Sequence, residues 1–250
     1  MLSWHLAANK PVGPGLALRA AALVLLGIAT SPACAEKPAA DLAAAREAMV
    51  RDQIALRGVT DPLVLAAMRK VPRHELVPVS MRALAYADRP LPIGDGQTIS
   101  QPYIVAFMTE AAGLKGGETV LEVGTGSGYQ AAVLAEIAKK VYTIEIVPAL
   151  ARRAKADLAR LGYTNVEVRE GDGYRGWPEQ APFDAILVTA APDHVPPALV
   201  EQLKVGGRIV LPLGTGDQEL VRITKTETGV ETERLLPVRF VPMTGEARRD

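Results

Sequence analysis

The spacing of hydrophobic positions changes period along this chain, and each change marks an element. From Thr119 onward, short apolar runs at 119–123, 141–146, 166–170, 183–189 and 207–213 read as strands. Between them, residues 129–139, 148–161 and 197–203 place apolar side chains and alanines three and four apart, the spacing of helices. Leu161-Gly162, Gly171-Asp172-Gly173 and Val205-Gly206-Gly207 punctuate the series as turns. Such alternation predicts an α/β chain with a mostly parallel, doubly wound sheet and helices on both faces. Runs at 219–224 and 233–240 have no helix between them and predict an antiparallel pair at the sheet edge. Upstream, Leu42, Ala45, Met49, Gln53 and Leu56 predict a helix over 39–57 that Gly58 stops. Asp61 and Pro62 start a second helix as N-cap and first-turn residue, with Leu63, Val64, Ala67 and Met68 as its apolar stripe.

The first strand ends in the pattern Gly124-Thr125-Gly126-Ser127-Gly128, and a helix follows. Strand, glycine turn and helix let backbone approach a ligand closely and aim unpaired helix N–H groups at it. Glu145 follows Gly124 by about 20 residues, the offset at which a second parallel strand presents an acid to ribose hydroxyls. The glycine spacing is G-x-G-x-G and not the G-x-G-x-x-G of dinucleotide sites, which disfavours a nicotinamide-dependent oxidoreductase. The third strand ends in Glu170-Gly171-Asp172-Gly173, where Asp172 is an acceptor suited to the exocyclic amine of adenine or else a plain turn aspartate.

Composition narrows the classes. A chain of 250 residues, 48% hydrophobic, can bury one sizeable core. Its formal net charge is zero, so it has no basic footprint for nucleic acid. No apolar run reaches the roughly 18 residues that span a bilayer. Residues 1–35 carry the layout of a secretory signal peptide: Lys10 and Arg19, an apolar stretch from Ala20, and Ala33-Cys34-Ala35 before the cut. This leaves 36–250 as the mature domain, with helices and a polar loop over 36–115 and the strand–helix core over 116–250. Export to the periplasm is one expectation; a true start further on, for instance at Met49, and a cytoplasmic protein is the other. The only cysteine, Cys34, lies in the leader, and three scattered histidines supply no zinc site. His74 and His194 read as structural.

The long polar stretch 91–103 holds Gln97-Thr98-Ile99-Ser100-Gln101-Pro102-Tyr103. Ser100 is placed as an N-cap of the helix that Pro102 begins. Long ordered loops are also often functional.

Several stretches together resemble the protein-L-isoaspartate O-methyltransferases. They are Val71-Pro72-Arg73-His74-Glu75-Leu76-Val77-Pro78, the Gln97-to-Tyr103 loop, Leu121-Glu122-Val123-Gly124-Thr125-Gly126-Ser127-Gly128-Tyr129, Gly171-Asp172-Gly173, Phe183-Asp184-Ala185-Ile186-Leu187-Val188-Thr189-Ala190-Ala191 and Arg239-Phe240-Val241-Pro242. The resemblance runs from about Arg46 to Pro242. It implies a Rossmann-like class I methyltransferase fold with an antiparallel edge and N-terminal helices. It also implies S-adenosyl-L-methionine as methyl donor and isoaspartyl-containing proteins and peptides as acceptors, with no metal and a monomeric enzyme. The methyl ester formed on the free carboxylate would close to a succinimide, which starts repair. By resemblance Ser100 is the active-site hydroxyl. Gly124, Thr125, Gly126, Glu145, Asp172 and Gly173 would hold the donor, and Thr98, Ile99 and Val241 would shape the isoaspartyl pocket. Another class I methyltransferase with a different acceptor, or a non-catalytic nucleoside-binding protein, remains the alternative.

Overall fold

Seven strands form the central sheet in the order β5-β4-β3-β6-β7-β8-β9. The computed structural model describes residues 39–248, so the expected leader lies outside the described residues. The strands are β3 (Thr119–Val123), β4 (Lys140–Glu145), β5 (Val166–Glu170), β6 (Phe183–Val188), β7 (Leu203–Leu213), β8 (Gln218–Lys225) and β9 (Val230–Val238), and a hairpin outside the sheet supplies β1 (Leu91–Gly94) and β2 (Gln97–Ile99). Pairing is parallel from β5 through β7. It turns antiparallel at β7–β8 and β8–β9. The sequence places all seven sheet strands; β7 runs four residues earlier than the apolar pattern suggests, and β9 ends before Phe240.

Alternation along each strand divides the core between the two faces. Val120, Val141, Ala185, Leu187 and Val210 face the cluster that holds the N-terminal helices. Leu121, Val123, Ile144, Ile186, Val188, Ile209 and Leu211 face the other. Full burial of such side chains contributes roughly 1.5–3 kcal/mol each. The covering helices are α1 (Ala39–Ala48), α2 (Pro62–Lys70), α3 (Pro102–Ala112), α4 (Tyr129–Ala135), α5 (Pro148–Arg160) and α6 (Pro197–Glu201). The expected first helix continues past α1 as a π-helical stretch, Met49–Ile54, then a 3-10 turn that Gly58 ends at φ 97°. Asp61 caps α2 as its sequence position predicts, its Oδ1 accepting from the N–H groups of Leu63 and Val64 at 2.8 and 3.3 Å. Among the described residues no helix is long and apolar enough to cross a membrane.

Two local structures depart from expectation. Residues 91–99 are not an open loop: β1 and β2 pair antiparallel across Asp95 and Gly96, both with positive φ. Asp-Gly between short apolar runs is a hairpin signal that the sequence carries. Nor does Ser100 cap α3; Gln101 holds that position, without a side-chain cap bond. Proline at Pro102 fixes the helix start one residue later than a serine cap would require.

Strand order reverses at β3, whose neighbours β4 and β6 are reached by chain running in opposite directions across the sheet. Ligands of such sheets bind outside the carboxyl ends of the strands at this reversal.

Candidate active site

At the carboxyl end of β3 the chain cannot continue as a strand. Gly124 sits at φ 98°, Gly126 at 53° and Gly128 at 82°, a series of left-handed residues open to glycine at little cost. A Cβ on Gly124 would lie 2.4 Å from Thr189 Oγ1, so this residue also meets the end of β6 too closely for any side chain. The same hydroxyl donates to Gly124 O at 2.6 Å. Beyond the turn, α4 starts directly at Tyr129.

Glu145 ends β4 and is 5% exposed. Its carboxylate holds the turn: Oε2 accepts from Gly126 N at 2.7 Å and Oε1 from Val147 N at 2.9 Å. Each oxygen keeps a further lone pair. Beneath the turn Glu122 is fully buried. Burial pushes its carboxyl up to about 8, against the pull of the Thr143 hydroxyl at 2.5 Å, while the Glu145 charge adds to the rise. Thr143 in turn lies 2.6 Å from Thr125 Oγ1. Glu122 Oε1 and Gln130 Oε1 are buried without a hydrogen-bond partner among the described residues, and both residues line the pocket.

The opposite wall is the stretch after β2. Thr98, Ile99 and Ser100 line the pocket, and the half-buried Ser100 makes no side-chain hydrogen bond among the described residues. What fixes it is its backbone. Arg73 is 0% exposed and donates through Nη2 to Ser100 O at 2.8 Å and through Nη1 to Ala85 O at 2.7 Å. Burial lowers its guanidinium to about 10, where it remains charged at neutral pH. Asp88 secures the residues just beyond, accepting from Gln101 Nε2 at 2.7 Å and Tyr103 N at 2.9 Å.

The third wall comes from the far end of the chain. Ala191 N donates to Val241 O at 2.8 Å and Met243 N to Ala191 O at 2.7 Å, so the segment after β9 is laid beside the end of β6. Val241 thereby joins the pocket lining.

One pocket therefore gathers Thr98, Ile99, Ser100, Gly124, Thr125, Gly126, Glu145, Gly173 and Val241, residues scattered over more than half the sequence. Asp172 stands apart. It lines a neighbouring cavity, its Oδ1 accepting from Tyr174 N at 3.0 Å and its Oδ2 from Glu246 N at 2.8 Å. Its carboxylate closes the C-terminal segment down, and only the adjoining Gly173 reaches the pocket wall. His74 bonds Tyr86 OH through Nδ1 at 2.6 Å, and His194 lies between Tyr174 OH and Asp193; neither lines the pocket.

Glu122, Gln130 and Arg73 are the residues that sequence reasoning passed over. A lone acid inside the apolar run Val120-Leu121-Glu122-Val123 is the signal that could have found Glu122, because a strand buried on both faces has no solvated side for it. Arg73 leaves a weaker mark, one of three polar residues, Arg73-His74-Glu75, between Pro72 and Pro78.

Comparison with known proteins places this geometry in a series. The family model described as protein-L-isoaspartate(D-aspartate) O-methyltransferase matches residues 44–248. The chain is 60% identical over 204 residues to a protein-L-isoaspartate O-methyltransferase of Picosynechococcus sp., covering 82% of this chain and 92% of that one. It is 60% identical over 211 residues to protein-L-isoaspartate O-methyltransferase 1 of Rhodopseudomonas palustris, covering 83% and 86%. Among solved structures, a protein-L-isoaspartate O-methyltransferase superposes with a TM-score of 0.74 at 33% identity, over 81% of this chain and 67% of that one. A putative protein-L-isoaspartate O-methyltransferase from Plasmodium falciparum, in complex with S-adenosyl-L-homocysteine, gives 0.68 at 26% identity, over 80% and 98%.

Proposed function

The chain belongs to the protein-L-isoaspartate(D-aspartate) O-methyltransferase family, and from that premise we infer how its own residues carry out the reaction. It is a methyltransferase that uses S-adenosyl-L-methionine to esterify the free carboxylate of L-isoaspartyl residues, which starts repair of the damaged protein. The observation that carries the residue assignment is the single pocket that joins the glycine turn to an unengaged serine hydroxyl.

The pocket suits the donor. The orphaned oxygen of Gln130 is an acceptor that a ligand with N–H groups would satisfy, and that of Glu122 becomes one when its carboxyl is ionised. A cationic amine beside Glu122 would also draw its carboxyl toward the ionised form. Glu145 retains lone pairs for ribose hydroxyls, Gly124 and Gly126 let the ligand lie against backbone, and Thr125 and Gly173 complete the wall. Asp172 acts here by holding the Gly173 turn and the C-terminal segment. When bound, S-adenosyl-L-methionine would supply a methyl group on a sulfonium; an oxygen nucleophile takes the methyl carbon as the carbon–sulfur bond breaks, its electron pair stays on sulfur, and S-adenosyl-L-homocysteine leaves.

The acceptor carboxylate is ionised at neutral pH and needs no base. The protein's task is alignment, and orientation of two reactants can lower a barrier by several kcal/mol. Ser100 donates a hydrogen bond to one carboxylate oxygen and so directs the other at the methyl group. Thr98, Ile99 and Val241 confine the side chain that carries it. A monomer suffices, because residues of one chain complete the pocket, and a net charge of zero offers nucleic acid no footprint.

Label transfer from S-adenosyl-L-methionine to a pair of peptides, one with L-isoaspartate and one with L-aspartate at the same position, tests the activity. Base-labile label on the isoaspartyl peptide alone is expected. Equal labelling of both, or of neither, would refute the assignment.

A further inference from the structure

Beside the donor pocket lies a second cavity of about 810 Å³. The two share Thr98, Ser100, Thr189, Val241 and Pro242, so the cavity opens onto the point where the acceptor carboxylate must sit. Its walls are largely apolar, with Tyr103 and Ile104 from α3 facing Val238 and Phe240 from the end of the chain. Its charge is one-sided. Among the described residues Arg57 and Arg239 line it, and no carboxylate does.

The two cations are not equivalent. Arg57 is already neutralised: its Nη1 lies 2.5 Å from Asp88 Oδ2, and its guanidinium carbon sits 3.5 Å from the centre of the Tyr103 ring. Arg239 is exposed and makes no ion pair among the described residues. Yet its backbone is held firmly. The next residue, Phe240, donates to Gln218 Oε1 at 2.6 Å and accepts from Gln218 Nε2 at 3.1 Å, and Val241 O receives the Ala191 bond. An exposed guanidinium thus stands on an anchored backbone at the rim of a groove that runs to Ser100, within the electrostatic range of any chain bound there.

On the methyltransferase reading this groove takes the polypeptide flanking the isoaspartyl residue, and we propose that Arg239 selects acceptors with a carboxylate side chain close to the damaged position. The proposal rests on the methyltransferase reading given above. A flanking aspartate or glutamate meets Arg239 across the groove, whereas a flanking lysine meets the like charge of Arg239, Arg57 being paired with Asp88. An exposed ion pair of this kind shifts an equilibrium by roughly two- to fivefold and weakens with added salt.

The test uses the full chain and isoaspartyl peptides that differ only in glutamate, glutamine or lysine two residues to either side of the isoaspartate. For the unmodified protein at low salt, kcat/KM is expected to fall from glutamate to glutamine to lysine by about two- to fivefold per step. R239Q should flatten the ranking and R239E should reverse it, and high salt should compress it. Donor affinity measured by calorimetry should be the same in all three proteins, which reports an intact fold. Methyl transfer without any ranking, or a ranking that R239E leaves in place, overturns the role of Arg239. No transfer to any isoaspartyl peptide by the unmodified protein would instead overturn the underlying activity, and the proposal with it.

Discussion

The glycine turn and the Ser100 stretch face each other across one pocket but are held in different ways. The turn is held from within the sheet. Gly124 N and Thr125 N donate to Ile144 O at 2.8 and 3.2 Å, and Glu145 closes over Gly126. Every partner lies on the neighbouring strand or at the end of β6. The Ser100 stretch has no strand beneath it. It depends on a buried cation from a distant turn, on Asp88, and on the small β1–β2 hairpin outside the central sheet. Donor binding is therefore built into the sheet, while acceptor alignment is assembled from parts that the sheet does not dictate. Damage to either side should leave the other legible in a binding or rate measurement.

The largest break expected is at Arg73. Arg73→Met would strand the carbonyls of Ser100 and Ala85 in a buried site and lower stability by roughly 2–4 kcal/mol, read as a shift of the urea midpoint. A change below about 0.5 kcal/mol, the scale of ordinary surface substitutions, would show that the guanidinium does not hold this wall. On the donor side, Glu145→Ala removes the acceptor of two backbone N–H groups together with the proposed ribose contacts. Donor binding should weaken by about 1–3 kcal/mol in calorimetry; an unchanged dissociation constant would remove Glu145 from the site.

A smaller effect separates the two sides by pH. Glu122 binds its proton more tightly in the folded chain, at about 8, than in the unfolded one, near 4.5. Its contribution to stability is complete below the unfolded value and is lost as pH rises through the window to about 8. Glu122→Gln keeps the neutral shape at every pH. We expect its stability to fall less than that of the unmodified protein between pH 5 and 6.5, by about 1–2 kcal/mol. Parallel melting curves for the two proteins would contradict a buried, proton-holding Glu122.

This division also explains what was legible beforehand. The alternation of apolar runs from Thr119 onward places all seven sheet strands, because pattern and topology are both local there. Glycine spacing and the offset to Glu145 mark the donor side for the same reason. The acceptor wall is non-local. A serine beside a proline looks like a cap, and the hairpin at Asp95-Gly96 needed its turn chemistry to be read before its apolar residues. Asp172 has the right neighbours in sequence, but Glu246 N, reaching back from the chain's end, occupies its Oδ2. Arg73 and Glu122 act through buried carbonyls and hydroxyls that no spacing reveals.

The central claim is that alignment and donor binding are separable, and Ser100→Ala tests it most directly. Donor affinity by calorimetry and turnover on an isoaspartyl peptide should be measured on the same preparation. Loss of one hydrogen bond to a charged oxygen, about 1.5–3 kcal/mol, predicts turnover roughly ten- to a hundredfold lower with donor affinity unchanged. Equal loss of both would place Ser100 in the donor site or the fold, and contradict the account.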